Sequence, residues 1–346
     1  MKVLSLFAGV GGFDLACERS GVEIVGQVEI DGFCQRVLER RFSLPATCRS
    51  TDIRQWRESR EHCDLLTGGF PCQDLSIAGK RAGLSGERSG LFWEIIRIAK
   101  AKQPTWGLFE NVPGLLSSHG GRDFALVLAG LRECWPAVGY RILDSQYFGV
   151  PQRRRRVFLV GGPSEASVRA VLFESEGSSG HSAESSQAGT EIARTIATGT
   201  NGNRYDGETE NFIVGPLTAE AAESHRHGHQ GFLNNQAVAS GHIVATLNSG
   251  GNNGGFRTEP GEHRYQSVRR LTPLECERIQ GFPDGFTCCC QPLEFYRDHP
   301  DEAATRCTCP DSPRYRALGN AVTVSTVEWI VRRIVRVDAM QKKENE

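Results

Sequence analysis

The sequence predicts an α/β fold: a mostly parallel sheet flanked by helices, with a smaller, irregular β-rich domain set in before the last helix. Three observations predict it. A short apolar stretch, Lys2 to Phe7, runs into the glycine turn Ala8-Gly9-Val10-Gly11-Gly12 and then into helical spacing from Phe13 to Arg19. Further apolar runs end in acids or in a glycine loop: Glu23 to Val28 before Glu29, Asp64 to Thr67 before Gly68-Gly69, and Trp106 to Phe109 before Glu110. Such runs suit parallel strands covered on both faces, whose carboxyl ends present ligand groups. Finally, residues 163–266 lose apolar periodicity and fill with Gly, Ser, Thr, Asn and His, as a separate polar module would.

At 346 residues the chain is long enough for two domains of unequal size. Its formal net charge of −1 gives no sign of a polyanion partner, yet 34 of the 40 basic residues are arginine. Arginine forks suit phosphates and guanine edges, although a GC-rich genome would leave the same bias. The amino terminus has an apolar start but no small-residue cleavage pattern. No apolar run approaches the ~18 residues of a membrane span. Twelve cysteines are then expected as reduced thiols in a cytoplasmic protein.

Strand, glycine turn and helix form a nucleotide-cofactor opening, because glycines permit a tight turn and close backbone approach to a ligand. Glu29 follows Gly9 by twenty residues and is placed to accept hydrogen bonds from ribose hydroxyls. Ile30 beside it is suited to an adenine face. Asp52, beyond a helix-like segment from Gly32 to Arg41, is placed to read the adenine amino group. The third glycine of the dinucleotide fingerprint is missing, and no lysine-bearing phosphate loop occurs. An adenosine-bearing cofactor without phosphates fits this pattern, and S-adenosylmethionine is the obvious one.

The next strand delivers Gly68-Gly69-Phe70-Pro71-Cys72-Gln73. Pro71 fixes its own φ and biases Phe70 towards an extended conformation, so Cys72 sits on a stiffened loop at a strand's carboxyl end. Ser76 to Ser89, carrying Lys80, Arg81 and Arg88, reads either as a loop closing over a phosphate backbone or as a solvated connection. Leu91 to Lys102 is amphipathic, with Leu91, Ile95, Ile98 and Ala99 on one face. Glu110 ends the following strand, and beside a cysteine on the neighbouring strand tip it becomes a candidate proton donor. Arg122 to Trp135 reads as a helix and Tyr140 to Val150 as strand-like. The run Arg153-Arg154-Arg155-Arg156 then feeds an apolar strand. Alternation puts Arg154 and Arg156 on one face, and a buried arginine needs an anion, so these two are expected to meet substrate phosphate or base.

Within the polar module, Ser175 to Gly189 reads as a linker. Short strands are expected at Ile192–Ile196, Ile213–Leu217 and Ile243–Leu247, with polar loops suited to base edges. Arg194, Arg204, Arg257 and Arg264 are available for phosphates or guanines, and His225, His227 and His229 read as solvated. Thr272 and Pro273 mark a helix N-cap and first turn. Val322 to Val337 is an amphipathic helix. Between them, Cys288-Cys289-Cys290 and Cys307-x-Cys309 supply enough thiols for a structural zinc, but at spacings unlike the usual Cys-x₂-Cys. They read as incidental thiols, and no metal is assigned.

Taken in order, six motifs resemble those of the DNA cytosine-5 methyltransferases of the bacterial or phage modification type. They are Phe7-Ala8-Gly9-Val10-Gly11-Gly12, Gly69-Phe70-Pro71-Cys72-Gln73, Phe109-Glu110-Asn111-Val112, Gln152-x-Arg154-x-Arg156, Arg270-Leu271-Thr272-Pro273-x-Glu275 and Gly319-Asn320-Ala321-Val322. The resemblance implies a Rossmann-like, S-adenosylmethionine-dependent methyltransferase domain over residues 1–162, completed by 318–338. Residues 163–317 would form a small target-recognition domain with a cysteine-rich insert at 287–310. Cys72 would be the nucleophile, Glu110 the acid, and Arg154 and Arg156 the substrate-positioning pair. Phe7, Ala8, Gly9, Gly11, Gly12, Glu29, Ile30, Asp52, Ile53, Pro71, Leu91, Asn320 and Val322 would line the cofactor site. The implied partner is double-stranded DNA, with no membrane; the implied state is a cytoplasmic monomer, with or without a cognate restriction endonuclease. An RNA cytosine-5 methyltransferase would share this site, but the long polar insert favours duplex DNA. Arg155 departs from the family, which often has an acid between the two motif arginines.

Overall fold

The computed structural model describes residues 1–56, 61–71, 90–173, 211–213, 237–239, 242–243, 269–298 and 307–344. Strands β1 (Lys2–Leu6), β2 (Glu23–Val28), β3 (Arg49–Ser50), β4 (Leu65–Gly69), β5 (Trp106–Asn111), β6 (Ala137–Asp144), β7 (Arg155–Gly162) and β8 (Asn211–Ile213) form one sheet in the order β3-β2-β1-β4-β5-β7-β6-β8. The first five pair in parallel. β7 runs antiparallel between β5 and β6, and β8 is antiparallel to β6.

Side chains alternate between two cores, as a sheet covered on both faces requires. Val3, Leu65, Leu108 and Val160 point to one side. They meet α1 (Gly12–Arg19), α2 (Gly32–Arg41), α5 (Glu165–Leu172) and α9 (Val324–Glu344). Leu4, Leu66, Phe109 and Leu159 point to the other, against α3 (Leu91–Lys102) and α4 (Arg122–Arg132). Helix α9 buries Val324, Val327, Ile330, Val331 and Ile334, a stripe at helical spacing. Near its end the buried carboxylate of Asp338 accepts from Trp106 Nε1 at 3.1 Å and pairs with Lys342 at 2.9 Å.

Apolar periodicity is lost from residue 163 in the sequence, yet a helix forms there: Ser164 is the N-cap of α5, its side chain accepting from the Ser167 N–H. Val168, Val171 and Leu172 are fully buried in the first core. The chain rejoins that core through Phe282, Phe286, Ala317 and Leu318. These lie on and around α6 (Pro273–Gln280), α7 (Leu293–Asp298) and α8 (Asp311–Asn320). Thr272 caps α6 in a reciprocal box with Glu275, and Pro273 follows it, matching the sequence expectation. Val168, Val171, Leu172, Phe282, Phe286 and Ala317 all fall within residues 163–317.

Within that segment, β9 (Ala237–Ala239), β10 (His242–Ile243) and β11 (Arg269–Arg270) form a small antiparallel sheet in the order β10-β9-β11. β8 and β10 end at Ile213 and Ile243, the residues at which the strands expected over Ile213–Leu217 and Ile243–Leu247 begin, and β8 joins the main sheet; residues 214–217 and 244–247 lie outside the described residues. The expected strand at Ile192–Ile196 lies outside the described residues, as does the linker at 175–189. β6 begins earlier than the strand expected at Tyr140–Val150 and ends at Asp144, whose side chain caps a 3₁₀ turn at Ser145–Tyr147.

The turn after β1 is held in left-handed backbone at Phe7 (φ 51°), Gly9 (φ 57°) and Gly11 (φ 87°). A Cβ on Gly9 would enter open space, whereas one on Gly11 would lie 2.4 Å from Phe42 Cε2. Gly9→Ala should therefore cost only left-handed strain, about 1–2 kcal/mol. Gly11→Ala should add overpacking of about 1–3 kcal/mol to that strain. Denaturant titrations of the two variants should rank Gly11→Ala as clearly the less stable; equal midpoints would contradict this packing.

Candidate active site

Because the central strands are parallel, their carboxyl ends open on one edge of the sheet. β1 ends in Phe7-Ala8-Gly9, β2 in Glu29-Ile30, β4 in Phe70-Pro71, and β5 carries Glu110 and Asn111. The chain reverses its winding direction between β1 and β4, so this edge is also the topological switch point.

On the β1–β2 side, Glu29 organises the turn. Its Oε2 accepts the Gly9 N–H at 2.7 Å and its Oε1 the Asp31 N–H at 2.8 Å. A carboxylate has about four acceptor positions, so both oxygens keep capacity for a ligand's hydroxyls. Ile30 stands next to it 70% exposed, an unusual setting for an isoleucine. The Glu29 N–H donates to Ser50 O at 3.0 Å, which brings the segment after β3 alongside. There half-buried Asp52 caps a 3₁₀ turn through the Arg54 N–H at 3.0 Å, and Ile53 is buried. Val322 packs on Gly12 so closely that a Cβ there would come within 2.8 Å of Val322 Cγ2. Phe7 and Leu91 are half-buried against the other core, that of α3 and α4, while Ala8 is buried and Pro71 and Asn320 are exposed. Open space before Gly9, a bare apolar face at Ile30 and a hydroxyl acceptor at Glu29 are the features of a cradle for an adenosine.

On the β4–β5 side the register places Gly69 opposite Glu110, and a Cβ on Gly69 would lie 3.3 Å from Glu110 Oε2. Antiparallel β7 brings its amino-terminal end to this same edge. Phe158 pairs with Glu110, so Arg156, two residues earlier, lies diagonally across on the same face. Arg156 Nε meets Glu110 Oε1 at 2.9 Å. Gln152, Arg154 and Arg156 are half-buried, while Arg153 and Arg155 are exposed, the alternation expected from the sequence. The anion that Arg156 needed is therefore Glu110 itself. Arg154 is satisfied differently: its Nη2 donates to Gly319 O at 3.2 Å and Ala321 O at 2.9 Å. Among the described residues, its Nε and the Oε1 of Gln152 are buried without a hydrogen-bond partner.

Burial pushes the Glu110 carboxyl above its ordinary range, with Arg156 and then Arg154 opposing the shift. Burial also lowers Arg154 to about 10, helped by the neighbouring Arg156. For Glu110 desolvation outweighs the two cations, so the site favours a carboxyl that keeps its proton more readily than an exposed glutamic acid.

Cys72 lies outside the described residues, as do Lys80, Arg81 and Arg88 and the polar module's Arg194, Arg204, Arg257, Arg264, His225, His227 and His229. The structure does describe how the chain enters the cysteine loop. Phe70 is buried against Phe92, their ring centroids 5.2 Å apart. Asn111 Nδ2 donates to Phe70 O at 2.8 Å while its Oδ1 accepts the Val112 N–H at 2.8 Å. Asn111 thus ties the Glu110 strand to the residue before Pro71. Its role is not among the sequence expectations, although an asparagine directly after a strand-end acid is a signal that could have pointed to it. Asp14 is a second such residue. Fully buried, it accepts from Ser5 Oγ at 3.0 Å and Gln27 Nε2 at 2.8 Å, joining α1 to β1 and β2 behind the glycine turn. Burial raises it to about 6.

The C-5 cytosine-specific DNA methylase family model matches residues 1–336. The chain is 31% identical over 339 residues to the Type II methyltransferase M2.BsuMI of Bacillus subtilis, covering 95% of this chain and 74% of that protein. It is 26% identical over 346 residues to the Type II methyltransferase M.HhaI of Haemophilus parahaemolyticus, covering 96% and 94%. Among solved structures, the S. pombe Dnmt2 methyltransferase aligns with a TM-score of 0.53 at 17% identity, over 97% of this chain and 98% of that one, and so shares the fold. Matched almost end to end by one family model, the chain belongs to the C-5 cytosine-specific DNA methylases and is a DNA cytosine methyltransferase.

Proposed function

We propose that the chain methylates C5 of a cytosine flipped out of duplex DNA at a short specific sequence, using S-adenosylmethionine, with Cys72 as nucleophile and Glu110 as acid. The observation that carries this reading is the buried Glu110 held against Arg156 at 2.9 Å, facing the strand tip that leads into Pro71-Cys72. The segment between α5 and α6 serves as the target-recognition domain. Its polar composition supports that role. Such an enzyme acts as a monomer, either beside a cognate endonuclease or as an orphan.

The residues suit the chemistry. C5 of cytosine is too electron-poor to attack an alkyl donor unaided. A thiolate at Cys72 adding to C6 forms a C–S bond and moves the ring's π electrons towards N3 and C5, making C5 an enamine-like nucleophile. Glu110, its carboxyl raised by burial, donates a proton at N3 as negative charge develops there. Arg156 fixes the orientation of that carboxyl. Arg154, with its Nε free of an acceptor among the described residues, faces the base or its phosphate. When bound, S-adenosylmethionine supplies an electrophilic methyl group. Glu29 would hold its ribose, Ile30 and Asp52 its adenine, and the Gly9 turn its approach to the sheet edge. Once C5 is methylated, a base removes the C5 proton, the C5–C6 double bond re-forms as Cys72 leaves as thiolate, and N3 returns its proton to Glu110. The target must be unstacked first, at a cost of a few kcal/mol.

In a methylation-free host expressing the chain, base-resolution sequencing should find 5-methylcytosine at one short motif, and none with Cys72→Ala. Soluble protein without methylated DNA would contradict the reading, and methyl transfer to tRNA in its place would favour an RNA substrate.

Glu29→Ala should weaken S-adenosylmethionine binding tenfold or more, about 1.4 kcal/mol, with DNA affinity unchanged. Calorimetric titrations of both ligands would measure this. Equal losses for both would mean that Glu29 acts only by bracing the glycine turn.

A further inference from the structure

We propose that Cys288, Cys290, Cys307 and Cys309 form a closed structural zinc site. The sequence shows two Cys-x-Cys pairs separated by sixteen residues, shorter in each arm than the common zinc spacings. The fold brings them to one point, with all four Sγ atoms within 4.8 Å of one another. The closest approaches are Cys288–Cys290 at 3.1 Å, Cys288–Cys307 at 3.3 Å, Cys290–Cys307 at 3.8 Å and Cys288–Cys309 at 3.9 Å. Four sulfurs about 2.3 Å from a tetrahedral zinc stand about 3.8 Å apart along each edge. The cluster therefore needs only small adjustments to take the ion. No pair lies near the ~2.05 Å of a disulfide.

The surroundings are built for thiolates. The two arms donate to each other's sulfurs: the Cys289 N–H points to Cys309 Sγ at 3.2 Å and the Thr308 N–H to Cys290 Sγ at 3.4 Å. Arg314, nearly fully buried, donates from Nη1 to Cys307 Sγ at 3.4 Å. The same guanidinium reaches Thr287 Oγ1 at 2.9 Å and the buried Glu277 at 3.0 Å. A zinc tetrathiolate carries net negative charge, and peptide N–H groups with one fixed cation are the outer partners that orient and offset it. All four ligands would be protein thiolates, leaving no open position, so the ion would be structural. Four thiolates around one tetrahedral point select zinc among the abundant non-redox cations.

The position says what the site would hold. From the sheet domain, Arg41 on α2 donates to Phe286 O at 2.7 Å, Gly285 O at 2.6 Å and Cys288 O at 2.6 Å. Phe282 and Phe286, just before the first arm, pack into the core beneath the glycine turn, where Phe282 Cζ would lie 3.4 Å from a Cβ on Gly12. The zinc would lock the loop that closes this side of the sheet domain. Cys289, which points away into the main core, and Cys276 are outside the cluster.

Full-length protein purified from zinc-supplied cells should carry one zinc per chain by elemental mass spectrometry, released stoichiometrically as an organomercurial blocks the thiols. Cys290→Ser and Cys309→Ser should lose the metal, while Cys276→Ser should keep it. Cobalt-exchanged wild type should show thiolate-to-metal charge transfer and the intense d–d bands of tetrahedral sulfur coordination, a reading that does not depend on the variants folding. Wild-type protein without zinc, or with iron in its place, would overturn the proposal. So would four thiols missing from a denatured, non-reduced thiol count, which would reveal disulfides instead.

Discussion

The contact between Arg156 and Glu110 is the constraint on which the rest of the site depends. A carboxyl buried at the end of a parallel strand carries a desolvation cost that favours its neutral form, and a cation at 2.9 Å pulls the other way. The balance leaves Glu110 with a raised carboxyl and a fixed orientation, the two properties a proton donor at a strand tip needs. Strand direction makes the contact available. A seventh strand running parallel to β5 would carry its amino-terminal arginines to the far edge of the sheet. Reversed, β7 delivers Arg154 and Arg156 to the edge where β1, β2, β4 and β5 end.

From this contact, hydrogen bonds reach elements distant in sequence. Arg154 holds the carbonyls of Gly319 and Ala321. Just beyond, Thr323 accepts from Ser145 Oγ at 2.8 Å and donates to Gln280 Oε1 at 3.0 Å, and Gln280 Nε2 donates to Leu318 O at 2.9 Å. Asn111 fixes the carbonyl of Phe70. Glu110, the entrance to the cysteine loop and the Gly319-Asn320-Ala321 segment are thus held as one body, while Glu29 independently braces the glycine turn after β1. Buried networks of this kind are costly when partly broken, which favours a single arrangement over several.

Much of this was legible in the sequence. Glycine turns, strand-end acids and the twenty-residue step from Gly9 to Glu29 are local signals, and the structure places those residues along one sheet edge. The arginine run was readable because a period of two sorts four consecutive residues onto two faces without any knowledge of neighbours. What could not be read depends on tertiary placement. The sequence leaves open which anion Arg156 meets, because that follows from the register of β7 against β5. The helix at Ser164 is missed in the sequence because a polar cap and a polar loop share composition, and only the burial of Val168 and Val171 separates them. The cysteine pairs read as incidental because Cys-x-Cys is unremarkable until two such arms meet.

The central claim is that Glu110 is a buried, proton-retaining carboxyl restrained by Arg156. It is tested most directly by titrating that carboxyl. Carbon-13 NMR of protein carrying labelled glutamate, with the resonance assigned through Glu110→Gln, would follow it in wild type and in Arg156→Gln. The account predicts titration above the ordinary glutamate range in wild type, and higher still once Arg156 is gone, because removing the cation leaves burial unopposed. Titration at or below the ordinary range in wild type, or no upward movement in the variant, would contradict it.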